Sequence, residues 1–195
     1  MVQLAYIDTE GGPAPPAIGS IKGTPTIKAF VPKRSSARNE KEVVEYDAAR
    51  EVGAIVKFAT TRMPSYVETV AGAVDLSTFM AKAAEWGLPT MLVFSNKAGQ
   101  TSSLLKSLSA EFRRRVLIGD LRESRNLEAV KAHRIMSFPS IVCLQAAGKE
   151  PLRFEGKQPT YHRLHSFASK CALRKAVTKK PAVAKDMGKD EKEEL

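Results

Sequence analysis

Few side chains in this chain have the chemistry to attack a bond, relay a proton or hold a metal. The candidates are two cysteines, Cys143 and Cys171, three histidines, His133, His162 and His165, and a scatter of carboxylates. Disulfide exchange needs a pair of cysteines separated by two residues at a helix N-terminus, where backbone N–H groups and the helix dipole stabilise the attacking thiolate. No Cys-x-x-Cys occurs here. Cys143 lies inside the apolar run 141–144, and Cys171 comes one helical turn after Phe167, so both read as small buried hydrophobes. A bridge between them forms only if the last helix packs suitably on that strand, and free buried cysteine is the commoner state. His162 and His165 stand at i, i+3 on the same helix, a spacing that can hold zinc, but no third ligand lies near them and they read as surface residues. The chain has no glycine-rich phosphate loop, nucleophile elbow or paired-carboxylate signature, so no metal or cofactor is expected.

The elements around these residues follow a pattern that occurs twice. A proline stands directly in front of an apolar strand at Thr24-Pro25-Thr26-Ile27-Lys28-Ala29-Phe30 and again at Phe138-Pro139-Ser140-Ile141-Val142-Cys143-Leu144. After each come a loop, a short strand ending in an aromatic and an acid (Val44-Glu45-Tyr46-Asp47; Arg153-Phe154-Glu155), and an apolar-periodic helix. Pro139 follows Pro25 by 114 residues and Phe154 follows Tyr46 by 108, so the copies differ by one shorter loop. A repeat of this length is a duplicated domain and not a solenoid unit. Proline suits the first position of a strand because it has no N–H to give the ladder, and a cis X–Pro bond turns the chain sharply. Both prolines are expected to follow cis bonds.

The repeated block resembles the C-terminal half of a thioredoxin-like domain of the protein disulfide isomerase family, carried by Gly23-Thr24-Pro25-Thr26-Ile27-Lys28 with Tyr46-Asp47 and Arg50. The resemblance implies an α/β, three-layer fold in which the cis-proline loop faces the position of the reactive cysteines. It also implies a peptide-binding surface that includes Thr24, Pro25, Phe138, Pro139 and Ser140. Residues 65–172 read as one complete copy in the order β-α-β-α-β-α-β-β-α. Strands are expected at 66–70, 89–95, 116–120 and 139–144. Helical stripes run through Leu76, Phe79, Met80 and Ala83, through Leu104, Leu105, Leu108 and Phe112, through Leu127 and Val130, and through Leu164, Phe167, Ala168 and Cys171. Asp75 or Ser77 is the expected cap of the first of these helices and Gly87 its stop. Where active domains of the family place Cys-x-x-Cys, just after the central strand, this chain has Ser95-Asn96-Lys97-Ala98-Gly99-Gln100. The second copy thus resembles the family's redox-inactive domains, which bind and do not react.

Residues 1–64 match only the later half of such a domain. A strand is expected at 2–7, and Pro13, Pro15 and Pro16 disfavour the short helix that would follow. A strand through Ile27, Ala29 and Val31 should pair with one through Val43, Val44 and Tyr46 across the loop 33–41, and Val52, Ile55, Val56 and Ala59 mark a helix within 48–62 that Pro64 ends. The chain is accordingly expected to be an N-terminally incomplete form, with any signal peptide and Cys-x-x-Cys belonging to the missing part.

The 195 residues are 43% hydrophobic and carry a formal charge of +10. No apolar run reaches the 18 or so residues of a membrane span. The tail 173–195 has no aromatic residue and is expected to be disordered. Its last residues, Lys192-Glu193-Glu194-Leu195, resemble the Lys-Asp-Glu-Leu retrieval signal of the endoplasmic reticulum, with Glu193 in place of aspartate. Arg113, Arg114, Arg115, Arg122, Arg125, Lys131 and Arg134 concentrate positive charge, but a nucleic-acid surface wants exposed aromatics among such residues, and Phe112 and Phe138 fit core or loop positions. What the resemblance implies is an endoplasmic-reticulum protein that assists folding, lacks the dithiol, and works by binding unfolded or disulfide-containing clients while a retrieval receptor reads its C-terminus. The alternative is a non-redox interaction module whose basic surface binds an acidic partner or RNA.

Overall fold

A computed structural model of the chain describes residues 2–33, 40–97, 99, 101–145, 149–154 and 159–178. The central strand explains the rest. Residues 90–94 are apolar but for Thr90, and all five are buried, as a strand covered on both faces requires. This strand, β4 (Thr90–Ser95), pairs in parallel with β5 (Leu117–Arg122) and antiparallel with β6 (Ser140–Leu144), whose other edge takes β7 (Leu152–Arg153), while β3 (Val67–Val70) runs parallel to β5 on its far side. The resulting order is β3-β5-β4-β6-β7.

Alternate residues of these strands feed two cores. On one face Met91, Val93, Ile118, Ile141 and Cys143 pack against Leu105 and Leu108 of α3 (Ser103–Glu111) and Leu164, Phe167, Ala168 and Cys171 of α5 (Tyr161–Cys171). On the other, Val70, Leu92, Phe94, Leu121 and Val142 pack against Phe79 of α2 (Ala73–Glu85) and Ala129 of α4 (Leu127–Ala132). Each fully buried side chain of this size contributes about 1.5–3 kcal/mol. Gly119 lies under the second core because a Cβ there would stand 3.0 Å from Phe79 Cζ.

The helix ends follow local chemistry. Ser102 caps α3 by accepting from the Leu105 N–H at 3.3 Å, and Gly87, at φ 60°, closes α2 with its N–H on Ala84 O. The start of α2 differs from expectation: Gly72 is the N-cap, and Asp75 Oδ2 instead accepts from the Ala71 N–H at 3.1 Å, outside the helix.

The first copy is sparser. β1 (Lys28–Pro32) and β2 (Lys41–Glu45) form an antiparallel pair, followed by α1 (Val52–Arg62), which starts later than the pattern at 48–51 suggests. Tyr46 meets Phe58 of α1 edge-on at 4.9 Å, and Arg50 Nη2 donates to Pro25 O at 2.8 Å. Residues 2–7 are not a strand, since no strand among the described residues pairs with them, and the prolines leave a single 3-10 turn at Pro16–Ile18. No described residue before Val70 is buried.

Candidate functional site

The parallel strands of the five-stranded sheet end at one edge, where the loop after β4 turns into α3. The register pairs Phe94 with Ser140, so this loop and the 137–140 segment emerge side by side. Both the Phe138–Pro139 and the Thr24–Pro25 bonds are cis. Pro139 is exposed, Phe138 is half-buried against the second core, Ser140 Oγ donates to Ser137 O at 2.6 Å, and Met136 beside them is 93% exposed. The structure thus brings Phe138, Pro139 and Ser140 together. Thr24 and Pro25 precede the two-stranded sheet, and Thr24 lines a shallow hollow of about 430 Å³ with Thr9, Pro13, Gly19 and Ile21. Lys192, Glu193, Glu194 and Leu195 lie outside the described residues.

Arg122, absent from the sequence-derived site, organises the loop after β4. Its Nη1 donates to Ser95 Oγ at 2.9 Å and to Lys97 O, and its Nη2 donates to Gly99 O at 3.1 Å and to Asp120 Oδ2 at 3.0 Å. Asp120 is buried and also accepts from Thr101 Oγ1 at 3.3 Å. Hydrogen bonds donated by a guanidinium are charge-assisted and stronger than neutral ones, and these hold the loop against the sheet. Alternation of Asp120 and Arg122 on one strand face is the only signal the sequence offers for it.

The sequence leaves open whether Cys143 and Cys171 pair, with free cysteine the commoner state; in the structure they are joined. They form a disulfide with Cα atoms 6.0 Å apart, joining the next-to-last residue of β6 to the last residue of α5, and both are buried. Helix α5 packs directly over β6, which is the condition the bridge needed. Cys143 pairs in register with Met91 and Cys171 Sγ lies 3.9 Å from Thr90 O, so the bridge sits at the start of β4 and not at its loop end.

A polar cluster holds α5 to α3. Tyr161 donates its hydroxyl to Glu111 Oε2, and His165 Nε2 sits 2.8 Å from Glu111 Oε1. The Tyr161 hydrogen bond lowers the Glu111 pKa, partial burial opposes this, and His165 adds to the lowering. The same bond raises the Tyr161 pKa. His133 is pushed below its ordinary value by burial and by Arg153. His162 is exposed, and among the described residues no group of three or more His, Cys, Asp or Glu is placed to hold a metal.

Much of the basic charge has structural work. Arg113 stacks on Tyr66 at 4.4 Å, Arg115 donates to Leu173 O at 2.7 Å, and Lys131 pairs with Glu128 at 3.5 Å. No helix among the described residues is long and apolar enough to cross a membrane.

The strand order and connections of the second copy are those of a thioredoxin-like fold. No protein-family profile and no curated protein matches the chain. Solved structures similar to it include chloroplastic thioredoxin z, at 21% identity over 56% of this chain and 96% of that one, with a TM-score of 0.43. Another is ERdj5 in its form II, at 16% identity over 65% of this chain and 18% of that one, with a TM-score of 0.48. A third is human ERp44 in its zinc-bound form, at 10% identity over 78% of this chain and 38% of that one, with a TM-score of 0.44. The chain spans less than half of either of the last two.

Proposed function

We propose that this chain is a protein disulfide isomerase-like protein of the endoplasmic reticulum lumen that binds unfolded or disulfide-containing clients and does no dithiol chemistry itself. One observation carries the reading: the loop beside Pro139, where a reactive pair would stand, has no thiol and is pinned by Arg122, while both cysteines of the chain are joined in a buried bridge. Thiol–disulfide exchange needs an accessible thiolate, and neither sulfur supplies one. What remains at that edge is a binding surface of Met136, Phe138, Pro139 and Ser140, with Thr24 and Pro25 as its counterpart in the first copy. In this reading residues 1–64 are half a domain, 65–172 a complete one and 173–195 a tail presenting Lys192-Glu193-Glu194-Leu195 to a retrieval receptor. The buried disulfide favours an oxidising compartment. An acidic partner or RNA has less to bind, because Arg113, Arg115 and Arg122 are already engaged within the chain.

The test pairs an insulin-reduction assay with titration of a fluorescent, unfolded model peptide. Insulin turbidity at the uncatalysed rate, with peptide binding that Met136→Asp weakens several-fold, supports the proposal. Catalysis lost on Cys143→Ala would refute it, as would peptide binding indifferent to Met136→Asp and Phe138→Ala.

A further inference from the structure

Helix α4 closes on a residue type that does not suit the closure. The Ile135 N–H donates to Val130 O and the Arg134 N–H to Lys131 O, both at 2.9 Å, the two bonds of a Schellman motif. That motif puts the residue after the cap in the left-handed region, and the residue there is Arg134, at φ 50°. Glycine is the usual occupant, because any other side chain brings its Cβ against the following carbonyl. The fold is therefore worse off for the arginine, and what the arginine supplies is charge at one place. Ile135 is buried in the second core, and its neighbours Arg134 and Met136 are both exposed. The Cα atoms of those two neighbours stand at most about 7 Å apart. Arg153 of β7 reaches the same turn, its Nη2 donating to His133 O at 2.7 Å. Among the described residues neither arginine joins an ion pair, whereas Lys131, one turn back, is engaged with Glu128. Burial, and after it Arg153, holds the His133 pKa below its ordinary value, so the two guanidiniums are what charges this turn at neutral pH.

We infer that Arg134 and Arg153 make the 136–139 surface selective for charge: its client is an extended segment that carries a carboxylate two residues from a large apolar side chain. The inference rests on the client-binding reading above and names the class of client. The spacing follows from the geometry. Residues i and i+2 of an extended peptide lie on one face about 7 Å apart, so an apolar side chain set on Met136 and Phe138 leaves the carboxylate over Arg134. A guanidinium takes a carboxylate through two parallel N–H···O bonds, and among the described residues no group occupies the side-chain donors of Arg134. A nucleic acid fits this turn less well. Its bases need exposed rings to stack on, and the groups exposed here are a thioether and a proline.

The probes are three short synthetic peptides carrying an uncharged dye, each with a central leucine and, two positions to either side of it, aspartate, asparagine or lysine. They are titrated against the full chain. The aspartate peptide should bind roughly tenfold tighter than the lysine peptide, with the asparagine peptide between them, and the spread should collapse in high salt, which screens exposed charges. Arg134→Gly should remove most of the spread while the unfolding midpoint stays level or rises, since glycine suits the left-handed position. Arg153→Gln should narrow the spread as well. Met136→Ser should weaken all three peptides alike. Equal binding of the three peptides, with Met136→Ser still harmful, would overturn this inference and leave the client reading standing, as would a spread that survives Arg134→Gly. No binding of any peptide, or binding indifferent to Met136→Ser, would remove both. An RNA oligonucleotide that displaces the aspartate peptide at physiological salt would also overturn the inference, because the site would then be a phosphate site.

Discussion

The disulfide between Cys143 and Cys171 should contribute a large share of the stability of the five-stranded unit. The bridge closes a segment with a sequence separation of 28 residues. On the chain-entropy estimate a loop of that length removes about 3–4 kcal/mol of unfolded-state freedom. With a urea m-value on the order of 1.5–2 kcal/mol/M, the unfolding midpoint of Cys143→Ala/Cys171→Ala should fall by roughly 2 M relative to the oxidised chain. Alanine is the useful replacement because serine would add a buried hydroxyl. Each single variant should lose at least as much as the double, since it frees the partner thiol without restoring the closed loop. The assay is urea unfolding followed by circular dichroism, with thiol counting by a maleimide mass shift. The oxidised chain should take up no label in denaturant and two labels after reduction. Two labels without reductant would show that the bridge does not form, and a midpoint shift below about 0.5 M would show that it adds little to closure already set by packing of α5 on β6.

Two further perturbations address the scaffold around the site. Asn126 is buried, donates to Val70 O and Arg122 O at 2.9 Å each, and accepts from the Gly72 N–H at 3.0 Å, so Asn126→Ala should cost about 2–4 kcal/mol in thermal or urea unfolding. Asn126→Asp should do no better, because a carboxylate cannot donate to either carbonyl. For Glu111, the Tyr161 hydrogen bond holds the folded pKa below the ordinary carboxylate value, so its contribution is present above the unfolded pKa and is lost as pH falls through the folded one. Glu111→Gln should flatten that part of the acid limb of the stability profile, read as midpoints between about pH 5 and pH 3; a limb of unchanged slope would show that the α3–α5 clip does not titrate.

What the sequence conveyed well was local. The continuous apolar run at 91–94, the helical stripes of α2, α3 and α5 and the two proline-led strands each reflect a pattern that the backbone must obey. What it conveyed poorly was relational. Cys143 and Cys171 read as unpaired because their meeting depends on how α5 lies over β6. The Glu111 cluster was invisible because Tyr161 and His165 lie 50 and 54 residues away in sequence. Residues 2–7 alternate like a strand, yet alternation only declares which face would be apolar. A strand also needs a neighbour for its N–H and C=O groups, and among the described residues no strand takes that place. The cap of α2 was missed for a local reason: Gly72, at φ 91°, takes the N-cap place, and the Asp75 carboxylate turns outward to the preceding loop.

The two proline-led segments separate these two kinds of information more cleanly than any substitution could. Ile27 and Ala29 match Ile141 and Cys143 in position and in apolar character. The second pair is 3% and 0% exposed, whereas the first is only half-buried. The difference does not come from the strands themselves. It comes from β4, α3 and α5, which press on β6 from one edge and one face, whereas among the described residues one strand and one helix attend β1. A two-stranded pair with one helix is marginal as an independent fold, and its apolar positions gain burial only in proportion to what covers them. The same strand and helix grammar therefore yields a core in one half of the chain. In the other half it leaves the matching positions half-buried.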